Sequence, residues 1–431
     1  MIKNDLKNCI QLAVQDKARM TFQPDRFFTR NRKLSLESLV WSILSLSASD
    51  LKSSLAKWNE AAGNDITSSA FSQQRAKLLP DAMKSVFDRF AYACYQRSSQ
   101  FTFKGMRLLA VDGSDFQVVT NARDSSSYFL SQPTFTGYNL IHVNAILDIG
   151  NNIFVDMNVL PRREDNERTA AIEMATRCSD PKNPAIYLFD RGYESYAVPV
   201  CLNSLKQYFI IRAQGPDGSC IVSGLTKMLG RRAKSKRPFD ITFTKVLKRQ
   251  EDGSYKPVET LSPDNTILTL RLVRVKLSKD TVEYLLTNLP PDAVSVQELK
   301  ELYRLRWGIE TSFRHVKYDL DGKALHARDF KNYVHEIYAT FILYNFCSSI
   351  IMHTNQKYMA FLRKKKRKYA YRINFRQGIR ICRHYLLRSF LDIERQLLQH
   401  LVAIQRNRKT PLRKKVRFKG AIAFGYRPLA I

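Results

Sequence analysis

Acidic residues are scarce in this sequence, 39 Asp and Glu against 70 Lys and Arg over 431 residues, for a formal charge of +31. That surplus is far more than solubility requires and makes a polyanion the natural partner, nucleic acid first. Paired cysteines are lacking as well. Cys9, Cys94, Cys178, Cys201, Cys220, Cys347 and Cys382 are odd in number and widely spaced with no C-x-x-C, so neither a disulfide framework nor a zinc site is indicated. The seven histidines, His142, His315, His326, His335, His353, His384 and His400, show no H-E-x-x-H or C2H2 spacing. No G-x-x-x-x-G-K-[ST] run exists, which disfavours an ATP-driven enzyme. Long apolar runs are missing: Tyr338 to Met352 is shorter than the roughly 20 residues a bilayer core demands and reads as a buried helix. With Asp5 near the start and no sustained apolar segment there, no secretory signal is expected, and the expected location is the cytoplasm.

What is present is enough apolar material, 44% of residues with 11% aromatic, to fill one large core or a few smaller ones. The positive charge is concentrated: residues 361–431 hold 21 Lys or Arg against Asp392 and Glu394, a net +19. Such a run can grip a phosphate backbone, or it can be a solvated tail.

Five segments are expected. Residues 1–103 read as helical, since Leu36, Leu39, Val40, Ile43 and Leu46 recur at three and four. Within them Thr67 or Ser68 can cap a short helix bearing Phe71, Gln73, Gln74, Arg75 and Lys77, a candidate DNA-reading element if those polar groups are more than its wet face. Residues 104–214 change period. Strands are expected at Arg107–Val111, Asn139–Leu147, Ile153–Leu160, Ala185–Phe189 and Tyr208–Arg212, with helices at Asn166–Cys178 and Ser195–Leu205, a mixed α/β sheet. Residues 215–290 alternate again, as in Phe239–Phe243 and Thr269–Val275, and read as a β-rich insertion that carries Lys234, Lys236, Arg237, Lys245, Lys248 and Arg249. Residues 291–355 return to helix. Ser295–Glu298 has capping-box spacing, and the helix it opens is expected to run to about Tyr318. Residues 356–431 form the basic helical C-terminal region and tail, with a helix from Gln377 to about Ile404.

In so basic a chain the position of each acid is informative. Asp112 and Asp190 each close an expected buried strand, where a carboxylate can meet another from a neighbouring strand, and clustered carboxylate oxygens are what a hard divalent cation requires. Each is also compatible with an ordinary turn. On the helix from Ser295, Tyr303, Arg306, Glu310 and Lys317 fall within an arc of roughly 60° at about 100° per residue, beside an apolar stripe of Leu302, Leu305, Ile309 and Phe313. One carboxylate thus stands among groups that can hold phosphate, Tyr303 by donation or by stacking on a base. The plain alternative is a surface helix with an i, i+4 pair. Asp115, Asp148 and Glu164 are spare carboxylates, Asp115 being the substitute for Asp112, and Trp307 is expected in the core rather than as a wedge against a flipped base.

The spacing Tyr303-x2-Arg306-x3-Glu310-x6-Lys317, with Val-Asp-Gly-Ser at Val111–Ser114 and Asp-Arg-Gly-Tyr at Asp190–Tyr193, resembles the Y-R-E-K signature and companion motifs of DDE transposases of the insertion sequence four family. The resemblance spans roughly residues 35–400 and implies a ribonuclease H-like core with a β-rich insertion between the second Asp and the Glu. It further implies that Asp112, Asp190 and Glu310 hold two Mg2+ ions, replaceable by Mn2+. Tyr303, Arg306, Lys317 and, less centrally, Arg191 would contact DNA near the cleaved end. The implied activity is cleavage at transposon ends and transfer of the freed 3′-OH into target DNA. The implied partners are double-stranded DNA, both inverted repeats and target, and a second copy of the chain in the synaptic complex, with no ATP and no membrane, and the implied setting is the nucleoid of a bacterium. A hairpin intermediate is an expectation of the same kind. The residues alone leave two rivals, a DNA binder without catalysis and a nuclease that only hydrolyses, and the charge by itself also allows an RNA-binding structural protein.

Overall fold

The computed structural model describes residues 2–30, 33–97, 102–130, 137–218, 220–234, 237–277, 281–362, 369–388 and 392–404. Residues 363–368 and 405–431, which carry much of the basic run, and Lys236 lie outside them.

The chain begins with helices Ile2–Gln15, Lys17–Met20, Leu36–Leu44, Leu51–Ala62, Ser68–Arg75 and Ala82–Arg97. Their starts follow local chemistry: the side chains of Ser35, Asp50 and Thr67 accept from the backbone N–H three residues on, satisfying donors a helix start leaves free. Gly63, at φ +65°, ends one of them in the left-handed conformation that glycine adopts without steric cost. The proposed reading helix does form at Ser68–Arg75, but Phe71 and Arg75 point inward. Arg75 pairs with Glu336 at 2.7 Å in the interior and is thereby withdrawn from any DNA contact.

One ten-stranded mixed sheet follows. Its strands are β1 (Arg107–Val118), β2 (Tyr128–Phe129), β3 (Tyr138–Asp148), β4 (Ile153–Pro161), β5 (Ala185–Phe189), β6 (Tyr208–Ala213), β7 (Phe239–Arg249), β8 (Tyr255–Val258), β9 (Thr266–Lys276) and β10 (Val282–Thr287). The order is β2-β3-β1-β5-β6-β10-β9-β7-β8, with β4 also paired to β3. β1 is antiparallel to β3 and parallel to β5, β5 is parallel to β6, and every pairing from β6 through β10 to β8 is antiparallel. The alternating segment between residues 215 and 290 therefore does not stand apart: β10 docks on β6 and prolongs the sheet. Arg237, Lys248 and Arg249 are exposed there.

Strand alternation divides the side chains between two faces. Leu108, Ala110, Phe116 and Val118 of β1 face the N-terminal helices, the helix Phe330–Leu362 and the helix Val296–Leu305, whereas Leu109 and Val111 face the layer built from helices Glu167–Cys178 and Ala197–Ser204. The apolar stretch at Tyr338–Met352 lies within Phe330–Leu362 as a buried helix, and among the described residues no helix is long and apolar enough to cross a membrane. After it come a small two-stranded sheet, Tyr371–Ile373 with Leu401–Ala403, and helices Phe375–Leu387 and Ile393–Leu398, in place of one helix from 377 to 404.

Candidate active site

Asp112 does not close its strand, as expected from the apolar run, because β1 continues six residues further as the partner of β3. What ends there is the parallel pairing: Val111 faces Phe189 as the last pair of β1 with β5, and the next residues of the two chains are Asp112 and Asp190. β6 repeats the pattern, with Ile211 against Phe189, so Arg212 follows beside Asp190, its Nη1 at 3.8 Å from Oδ1. Two carboxylates and a guanidinium thus share the end of three adjacent parallel strands.

Glu310 arrives from a helix that is not straight. The capping box at Ser295 and Glu298 forms, but the helix tightens at Arg306, where Arg306 N–H donates to Tyr303 O and Ile309 N–H to Arg306 O, each spanning three residues. It splits into Val296–Leu305 and Trp307–Arg314 and ends in a wider π turn, His315–Asp319. Such turns are rare and often found at functional sites. The change of phase breaks the expected stripe: Leu302, Ile309 and Phe313 are buried, but Leu305 is exposed. It also turns Trp307 outward, to 54% exposure, against the expectation of a core residue.

The four residues of the helical signature consequently serve different neighbours. Arg306, 1% exposed, places Nη2 at 2.7 Å from Glu310 Oε1 and Nη1 at 3.5 Å from Asp112 Oδ2. Its Nη1 and Nε have no hydrogen-bond partner among the described residues. Tyr303 is 3% exposed with its hydroxyl 3.5 Å from Asp190 Oδ1, so its ring is closed to base stacking and only the hydroxyl reaches the acids. Lys317 crosses to β1, where Nζ donates to Ser114 Oγ at 2.7 Å and Asp115 O at 2.6 Å above the ring of Phe116. Burial lowers its pKa to about 8, with Lys323 acting in the same sense and Asp115 and Asp112 against it. Arg191 is exposed on the short turn after Asp190.

Burial pushes the Asp112 carboxyl up to about 6, and the charges of Glu310 and Asp190 add to this, against the pull of Arg306 and the Gly113 N–H, which donates at 3.0 Å. Three carboxylates, Asp112 and Glu310 against the incompletely bonded Arg306 and Asp190 beside Arg212, fit a divalent cation, whose charge would offset their repulsion and whose preference for oxygen the donors meet. The sequence reading missed Arg212, although aligning the ends of the three parallel strands would have found it. The spare acids go elsewhere. Asp148 is buried, accepting from Asn151 N–H and pairing with Arg107, and Asp115 lies on the opposite face of β1 against His142 at 2.6 Å. Among the described residues, the group whose ligating atoms lie closest to one another is a different one, His142, Asp165 and Glu167.

A family model for the transposase DDE domain matches residues 103–346. The chain belongs to the DDE transposase family. Its work is therefore DNA transposition, with the nuclease and transferase chemistry of that family, whose members use divalent metals. No curated protein matches the chain. Among solved structures it is similar to the piggyBac transposase in a synaptic complex with hairpin DNA, at 13% identity and a TM-score of 0.47, covering 92% of this chain and 82% of that one. In this DDE transposase the matched segment holds the Asp112, Asp190 and Glu310 site together with all of β1 to β10.

Proposed function

We propose that this transposase cuts DNA at the ends of its element and joins the freed 3′-OH to target DNA, using Asp112, Asp190 and Glu310 as its metal-binding acids on a ribonuclease H-like core. The observation that carries this reading is Arg306, a buried guanidinium bracketed by Asp112 and Glu310 with two nitrogens left without hydrogen bonds. A lone structural ion pair does not need a third acid beside it, whereas a site built for cations and phosphate does.

In this reading the three carboxylates hold two Mg2+, or Mn2+, which when bound supply Lewis acidity to the phosphate and lower the pKa of water. In the first reaction a water oxygen bonds to phosphorus as the bond to the 3′ oxygen breaks, and in the second the 3′-OH attacks a target phosphodiester and expels its 3′ oxygen in turn. Arg306 and Lys317 would meet the charge that the phosphate brings, Tyr303 would steady Asp190 through its hydroxyl, and Arg191 and Trp307, both exposed, would be free to touch the DNA. The finer assignment to the insertion sequence four family rests on the Tyr303, Arg306, Glu310 and Lys317 spacing. Pairing of two chains on two inverted repeats and a hairpin intermediate belong to the same reading.

The test is incubation of the full chain with its own element-end DNA and Mg2+, followed by plasmid as target. Nicking at the end and joining of a precut 3′-OH end are expected. Nicking without joining would favour a hydrolytic nuclease, and binding without nicking a DNA binder.

A further inference from the structure

The reverse face of β1 carries a second polar cluster that the transposition reading leaves unused. Because neighbouring residues of a strand point to opposite faces, Gly113 and Asp115 lie away from Asp112, facing the side of the sheet where Val111 packs. β3 is paired so that Gly113 meets Asn144 and Asp115 meets His142. Asp165 and Glu167 reach the same place from either side of Asn166, the residue that caps helix Glu167–Cys178.

His142 is 3% exposed, and its Nε2 has no hydrogen-bond partner among the described residues. That atom faces Asp165 Oδ2 at 3.7 Å and Glu167 Oε1 at 3.5 Å. The other ring nitrogen, Nδ1, lies 2.6 Å from Asp115 Oδ1, and because an ionised carboxylate can only accept, Nδ1 is the donor to it. A neutral ring so bonded carries its lone pair on Nε2, aimed at two acids, which is repulsive unless something positive lies between them. Asn144 repeats the pattern: fully buried, it donates from Nδ2 to Asp165 Oδ1 at 2.6 Å and leaves its Oδ1 without a partner.

Arg162 touches all three acids, Asp115 at 3.1 Å, Asp165 at 3.1 Å and Glu167 at 3.7 Å, but one guanidinium offsets one of three negative charges. The spacing suits an ion instead. Donors around a tetrahedral centre with bonds of about 2.0–2.1 Å stand roughly 3.3–3.4 Å apart, close to the separations seen here, and a carboxylate holding the far nitrogen of a ligating histidine is the usual support for such a centre. A Cβ at Gly113 would come within 2.3 Å of Nε2 and 3.2 Å of Asn144 Oδ1, so the only side chain that leaves both atoms clear is none.

We propose that His142 Nε2, Asp165 and Glu167 bind one first-row divalent cation, Zn2+ by preference, with Asn144 Oδ1 as fourth donor and Asp115 orienting the imidazole. The mixture of one imidazole with oxygen donors suits Zn2+ better than Mg2+. The cation would tie β1 and β3 to the start of helix Glu167–Cys178, and Arg168 of that helix donates to Gly192 O at 3.0 Å in the turn that follows Asp190. It is thus a positioning site, one sheet thickness away from the acids proposed to work on DNA.

The test uses the full chain with Asp112→Asn, Asp190→Asn and Glu310→Gln, which removes the other acids. After chelator treatment it is dialysed against Zn2+ and, separately, Co2+. One retained equivalent of Zn2+, a visible spectrum of tetrahedral type with Co2+, and a metal-dependent rise in melting temperature are expected. His142→Gln added to that chain should abolish all three, the metal-dependent rise being read against that variant's own metal-free melting temperature. Asp115→Asn should weaken binding about 10- to 100-fold, as loss of the group behind a ligating histidine does. Stoichiometry near zero in the parent, or binding unchanged by His142→Gln, overturns the proposal, and either outcome leaves the DNA-cleavage reading to its own assay.

Discussion

Arg306 Nη2 and Glu310 Oε1 lie 2.7 Å apart across one helical turn, and the same guanidinium reaches toward Asp112 on the sheet. Glu310→Gln keeps the shape and removes the charge. Nicking of end DNA should fall by about 10^2- to 10^3-fold, the scale on which loss of one essential electrostatic group is felt, while DNA binding and melting temperature stay close to those of the unaltered chain. A gel assay beside a filter-binding assay measures both, and near-normal nicking would remove Glu310 from the chemistry.

Arg306→Lys retains charge but loses the planar fork that spans two carboxylates. Cleavage should drop at constant fold, as judged by circular dichroism. If Lys restores most of the activity lost in Arg306→Ala, the bracket matters only as charge.

Trp307 is exposed beneath the Arg306 guanidinium, 5.2 Å from it. Trp307→Ala should change stability by less than about 0.5 kcal/mol, as expected away from a core. If the indole meets a base, affinity for end DNA should fall by the equivalent of about 1–3 kcal/mol. Urea titration and binding curves separate the two effects, and a large loss of stability with unchanged affinity would return this residue to a packing role.

Arg75 and Glu336 join the N-terminal helices to the helix Phe330–Leu362 through a pair buried on both sides. Arg75→Ala leaves Glu336 without its main counter-charge and should cost about 3–5 kcal/mol, readable in a urea melt.

Acid should weaken the same junction in two stages. Burial chiefly, with the charge of Arg75, lowers the His335 pKa to about 3, although its Nε2 donates to Leu79 O at 2.7 Å. Burial opposes ionisation of Glu336, but Arg75 and His326 prevail and lower its pKa to about 2. Both folded values lie below their unfolded ones, so the unfolded chain binds more protons and stability falls with pH. The loss from His335 should begin below about pH 6.5 and that from Glu336 below about pH 4.3. Denaturation curves at a series of pH values should show the upper stage vanish in His335→Gln, and a flat profile in the unaltered chain would contradict the assignment.

Short apolar runs made the strands that lead to Asp112 and Asp190 legible, and period-two alternation did the same for the strand-rich segment ahead of the Glu310 helix. Asp112 looked terminal because the apolar run stops at Val111, yet the strand goes on with polar residues that pair with β3. The pinch at Arg306 was invisible, since a helix wheel assumes even rotation and nothing in Leu-Arg-Trp-Gly announces a tightened turn; its result is an exposed Leu305 and Trp307. His142 escaped notice for another reason. Metal spacing is sought along the chain, whereas its partners Asp165 and Glu167 come from beyond the hairpin that joins β3 and β4, brought close only by pairing across the sheet.

Asp112 and Gly113 are consecutive residues of β1 that look out of opposite sides of the same sheet. Deleting or inserting one residue upstream in this strand would exchange their outlooks, sending the carboxylate toward the histidine and the bare glycine toward Arg306. Both polar centres are therefore bound to a single register, and this short stretch of chain can be altered by substitution but not in length.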